Sequence, residues 1–79
     1  MAGDYIRALE LARDGAWDQA HEIVQQHSDR LACLIHGYLH RVEGDLGNAG
    51  YWYRRAGEPM PDNTLDEEWE RLSGLVSSS

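Results

Sequence analysis

The sequence predicts an all-α protein of about five helices: two stacked antiparallel hairpins and a C-terminal helix that caps them. Three observations carry this prediction. A glycine-to-alanine spacing occurs twice, Gly15 with Ala20 in GAWDQA and Gly44 with Ala49 in GDLGNA, the copies offset by 29 residues. A glycine that breaks one helix, followed five positions later by a small residue inside the next, describes a tight helix hairpin with closely approaching backbones. Apolar residues recur at helical spacing through the segments on either side of both glycines. The third observation is a stretch, residues 31–42, that is apolar or neutral over most of a helical circumference, as a helix buried between neighbours must be.

Over residues 4–14, Tyr5, Ile6, Leu9 and Ala12 recur at helical spacing, and Gly15 supplies a stop. Trp17, Ala20, Val24 and His27 repeat every three to four positions, with Ile23 beside them, and predict a second helix over 16–27. The connection is a residue or two long, which forces an antiparallel pair. Ser28 or Asp29 can cap the third helix, whose stripe is Leu31, Leu34, Ile35, Tyr38, Leu39 and Val42. Cys33, His36, Gly37 and His40 occupy its other side, and this helix is expected at the centre.

Gly44 ends the third helix and Asp45 can cap the fourth, which carries Leu46, Ala49, Tyr53 and Ala56 before Gly57 stops it. Gly47 and Gly50 each weaken this helix by roughly 1 kcal/mol relative to alanine, which predicts close contact with the third helix. Pro59 and Pro61 make residues 58–63 an extended linker. Thr64 and Glu67 form a capping box that opens the fifth helix, residues 64–76, with Leu65, Trp69, Leu72 and Val76 on one face and a frayed tail at 77–79. That helix either folds back to cap the stack or docks on a second copy of the chain. The expected organisation is one domain over residues 1–79, with hairpins at 4–27 and 29–57.

A chain of 79 residues lies at the small end of what buries a self-sufficient core, so self-association is expected. The lone Cys33 excludes an intramolecular disulfide framework. No apolar run approaches the roughly 20 residues of a membrane span, and acids near the N-terminus argue against a signal peptide. A cytoplasmic location is expected. The net charge of −7 is uneven: residues 1–30 carry −3, residues 31–57 carry +1 and residues 58–79 carry −5. Repulsion from phosphate argues against nucleic acid as a partner. Every basic residue is Arg, which favours bidentate pairing with carboxylates.

The segment LIHGYLHRVEGDLGNAGYWYRRAGEPMP resembles the tetratricopeptide and Sel1-like repeat pattern, with Gly37, Ala49, Tyr53, Ala56 and Pro61 at its small, aromatic, small and proline positions. The resemblance covers about 30 residues and implies right-handed αα packing and a surface that binds a protein partner. His40 stands where such repeats place a large aromatic residue and His36 where they place an aliphatic one. The first hairpin matches only at Gly15 and Ala20. The same segment is similar to a group of small bacterial proteins, which adds a fold expectation and no activity.

Two sets of residues carry candidate chemistry. Tyr51, Trp52 and Tyr53 followed by Arg54 and Arg55 cannot all face inward on one helix, since each turns about 100° from the last. Aromatic residues beside Arg are typical of interaction hot spots, so Tyr51, Trp52, Arg54, Arg55 and Trp69 are the candidate partner-binding residues; rings that merely cover adjoining helices are the plain alternative. Cys33, His36 and His40 lie at i, i+3 and i+7, with Glu43 another turn along, a donor set zinc accepts. His21 or Asp45 could add a fourth ligand. Histidines packed at a helix interface are the commoner outcome, and the sequence HEIVQ lacks the second histidine of a zinc protease motif. Catalysis by Cys33 with His36 has no visible oxyanion hole or orienting third group. The function expected is therefore a small interaction module or scaffold, dimeric, without catalytic activity or cofactor; the alternative is a metal-binding protein, hydrolytic or not, using Cys33, His36, His40 and Glu43.

Overall fold

Five helices form along residues 2–78, which the computed structural model describes: α1 (Ala2–Arg13), α2 (Trp17–Val24), α3 (Arg30–Val42), α4 (Leu46–Arg55) and α5 (Leu65–Ser77). Among these residues there is no strand, and the fold is all-α. The same device closes three of the helices. Gly15, Gly44 and Gly57 adopt φ of 83°, 86° and 90°, a left-handed backbone that side chains disfavour. Behind each glycine the next amide reaches back to the last turn: Ala16 to the Leu11 carbonyl at 2.8 Å, Asp45 to His40 at 2.8 Å, and Glu58 to Tyr53 at 3.2 Å.

α3 is the hub. Its residues from Ala32 to His40 are all buried, and it packs against each of the other four helices. α1 pairs with α2, α4 lies along α3, and α5 lies across α3 and α1. The fifth helix therefore folds back on its own chain. Trp69 drives this: its indole N–H donates to the Leu9 carbonyl at 2.8 Å, and the Arg13 guanidinium sits 4.3 Å from its ring centroid. On the opposite side of α3, the Trp17 indole donates to the Leu39 carbonyl at 2.6 Å and pins α2.

Several local expectations are corrected. α2 ends at Val24, because the His27 amide closes a tighter turn on the Val24 carbonyl at 3.1 Å and its ring turns edge-on to Tyr5, 5.4 Å away. Asp29 occupies the N-cap of α3 without capping through its side chain; its carboxylate accepts from the Tyr5 hydroxyl instead. Ile6, Val42 and Leu46 are exposed, while Ala8 and Leu11 are buried, since α1 packs against three helices and its covered face is correspondingly broad. Ser77 belongs to α5, and Ser79 lies outside the described residues. The caps of Asp45 on the Asn48 amide and of Thr64 with Glu67 form as the sequence indicates.

The close approach of α3 and α4 also lies elsewhere than expected. A Cβ on Gly47 would meet nothing within 4 Å, and one on Gly50 would meet only the end of the Arg54 side chain at 3.3 Å. The contact is at Gly37, where a Cβ would stand 2.7 Å from Cδ2 of Tyr53 and 3.2 Å from the Ala49 carbonyl oxygen.

Tyr53 cannot retreat, because its hydroxyl donates to Glu68 at 2.7 Å in the interior. Glu68 is fully buried and its carboxylate is saturated. Asn63 Nδ2 donates to Oε1 at 2.9 Å, and Arg71 donates Nε to Oε1 and Nη2 to Oε2, both at 2.8 Å. Burial pushes the Glu68 pKa up, but the hydrogen bonds from Arg71, Asn63 and Tyr53 outweigh it and hold the carboxyl below its ordinary value. Arg71 continues to Glu58 at 3.0 Å, Glu58 to Arg30, and Arg41 holds Asn63 from α3. The linker is thus tied to α3 and α5 by charge and hydrogen bonds. Among the described residues no buried side-chain nitrogen or oxygen lacks a partner.

Gly47→Ala raises the unfolding free energy by about 1 kcal/mol, whereas Gly37→Ala lowers it by about 1–3 kcal/mol despite the better helix propensity of alanine; chemical denaturation of both variants checks the pair. Glu68→Gln lowers stability by about 3 kcal/mol. The folded carboxyl titrates below the unfolded one, so its contribution is complete above the unfolded value of about 4.3 and is lost as pH falls through the depressed folded value. Urea midpoints measured from pH 6 downward fall for the parent more steeply than for Glu68→Gln.

Candidate functional site

His36 and His40 stand one turn apart on α3, on the side flanked by α2 and α4. α2 brings His21, itself one turn from Trp17, and α4 brings Trp52. The rings form a continuous layer. Trp17 stacks on His21 at 4.8 Å and 12°, His21 meets His36 edge-on at 4.6 Å, and His36 stacks on Trp52 at 3.8 Å and 9°. His40 closes the layer from below, 5.0 Å from His36 and 5.5 Å from His21, and its Nδ1 lies 2.6 Å from Glu43 Oε2.

Beyond Trp52 the layer reaches solvent. The Arg55 guanidinium carbon lies 4.8 Å from the Trp52 ring centroid and 5.9 Å from that of Tyr51, which stands edge-on to Trp52 at 5.2 Å and is 46 % exposed. Arg54 is also exposed. Neither arginine pairs with a carboxylate among the described residues.

Electrostatics follow from the crowding. Burial is the main cause that lowers the His36 pKa to about 4, with His21, His40 and Arg55 adding to it. His21 is lowered too, by burial and then by His40, against the opposing pull of Glu43 and other acids. These two rings are neutral at neutral pH. No family model, curated protein or solved structure matches the chain.

Of the residues singled out in the sequence, Tyr51, Trp52 and Arg55 share one surface, Arg54 is exposed on α4 with its guanidinium toward Gly50, and Trp69 lies apart from them, half-buried against α1 and bonded to its backbone. Cys33 separates from the histidines. It shares a face with His40 but stands two turns away, about 10 Å along the helix axis, and its thiol donates to the Ser28 carbonyl at 3.7 Å. Burial pushes that thiol's pKa up, which disfavours the thiolate. Its place beside His36 and His40 is taken by His21, and the ligand atoms of these three histidines lie within 4.8 Å of one another. Trp17 is the ring that sequence reasoning assigned to the core alone; its spacing of four from His21 was the available signal.

A folded His36 that protonates only near pH 4 makes stability rise with pH between there and the unfolded imidazole value of about 6.5, because the unfolded chain binds the extra proton. With chelator present, the parent therefore loses on the order of 2 kcal/mol on going from pH 7 to pH 4.5, measured by denaturant midpoint. His36→Gln flattens that slope.

Proposed function

We propose that the chain is a protein-interaction module without catalytic activity, docking through the outer face of α4, and that the occupant of this face is a second copy of the chain. The observation that carries the reading is Arg55, held beside exposed Tyr51 and half-buried Trp52, with Arg54 exposed on the same helix and no carboxylate answering either arginine among the described residues. A guanidinium packed on rings, as that of Arg55 is, retains free N–H edges for bidentate pairing, and its packing limits the entropy lost on binding.

The choice of occupant rests on charge. Residues 31–57 are the one stretch with net positive charge, and residues 58–79 carry −5, including exposed Asp66, Glu67 and Glu70 on α5. A two-fold pairing sets the α4 arginines of each copy against the acidic face of its partner's α5. The resemblance to helical repeats supports the same reading, since two hairpins present surface more readily than they form a self-contained array.

Sedimentation of the full chain over a concentration series is expected to show a dimer that weakens as salt rises. Tyr51→Ala with Arg55→Ala shifts it to monomer with the helical circular dichroism unchanged. Trp52 is unsuitable for this test because it also covers His36. A parent monomeric at every concentration removes the self-association, and loss of helix in the double variant reassigns its residues to the fold.

A further inference from the structure

We propose that His21, His36 and His40 form a binding site for one divalent transition-metal ion, with Glu43 as the positioning residue for His40. Each histidine places one ring nitrogen within 4.8 Å of the others, and two of them, His36 and His40, are buried. Imidazole nitrogens suit zinc, copper, nickel and cobalt, and a set of three is a poor match to the oxygen-seeking magnesium and calcium. The neutral imidazole is the form that ligates.

The carboxylate of Glu43 supplies the second part of such a site. It lies 2.6 Å from His40 Nδ1. When Nδ1–H donates to that carboxylate, the lone pair is left on Nε2, which is the tautomer that binds a metal, and the ring loses its freedom to turn. The donors come from two helices, α2 and α3, rather than from one run of sequence, which is how structural zinc sites ordinarily gather ligands.

The three ring nitrogens already lie within 4.8 Å of one another. Two nitrogens on tetrahedral zinc, each about 2.0–2.1 Å from the ion, stand about 3.4 Å apart. His21, half-buried on the outer helix, can supply whatever closing movement the ion requires. His36 is fixed between His21 and Trp52, and His40 by Glu43, so the ion would draw α2 inward. Three protein ligands leave the fourth position to water. Cys33, one turn from His36 and two from His40, has its thiol bonded to the Ser28 carbonyl and takes no part.

The test is titration of the untagged, full-length chain with Co2+, read by its visible absorption, followed by displacement with Zn2+. One ion per chain is expected, with absorption of tetrahedral intensity and a raised unfolding temperature that chelator reverses. His21→Ala, at a half-buried position, abolishes the spectrum while circular dichroism stays helical; Glu43→Gln weakens binding roughly 10- to 100-fold; Cys33→Ala leaves it intact. Absence of the spectrum in the parent overturns the site, as does binding by His21→Ala as tight as the parent's. Repeating the titration on Tyr51→Ala with Arg55→Ala keeps this site separate from the α4 face, since the ion binds there whether or not the chain associates.

Discussion

A carboxylate with no access to water sets the terms for the rest of this molecule. Removing Glu68 from solvent costs several kcal/mol unless its oxygens are answered, and they are answered from three directions: Tyr53 on α4, Asn63 in the linker and Arg71 one turn along α5. Those bonds decide where the C-terminal third goes. Among the described residues α4 and α5 make no close backbone approach; both pack on α3, and the Tyr53–Glu68 bond joins them directly. The prolines of the linker fix local angles; the direction of the chain after them comes from Asn63, clamped by Arg41 on one side and Glu68 on the other. Only then can Trp69 reach the Leu9 carbonyl and α5 cover α1.

The same bond reaches into the centre of the fold. Tyr53 is held from behind by Glu68 and pressed from the front by Gly37, so the separation of α3 and α4 is set by one ring between a charge and a missing side chain. A larger residue at 37 would push Tyr53 off the carboxylate and leave a buried charge short of a donor. Packing and electrostatics are not separate contributions here.

Features that depend on neighbours in sequence were legible: the three glycine stops, the Asp45 cap and the Thr64–Glu67 box each need residues at most five apart. The central position of α3 was legible too, because a helix apolar or neutral all round has no face to give to water. Glu68 was not. Helical phase sets Glu68 beside Leu72, at the edge of the apolar stripe, and Glu67 away from it, but the hydrogen bond that makes full burial tolerable comes from Tyr53, fifteen residues earlier. The donor set was half legible for a geometric reason. Equal angular position on a helix does not mean proximity, so Cys33 shares a face with His40 and still lies two turns off, whereas His21 comes close by tertiary packing alone. Gly47 and Gly50 misled because their cost in propensity was real and their supposed compensation lay at Gly37, on the facing helix.

The layer of rings gives the two faces of the molecule a common member. α2 and α4 make no close approach among the described residues, yet His21 on one and Trp52 on the other both lie against His36. Trp52 has His36 on one side, at 3.8 Å, and the Arg55 guanidinium near it at 4.8 Å. His36 therefore answers to both helices: its ring meets His21 of α2 on one side and is backed by Trp52 of α4, while α3, buried along nine residues, holds it in place between them. The histidine layer is where α2 and the α4 surface meet.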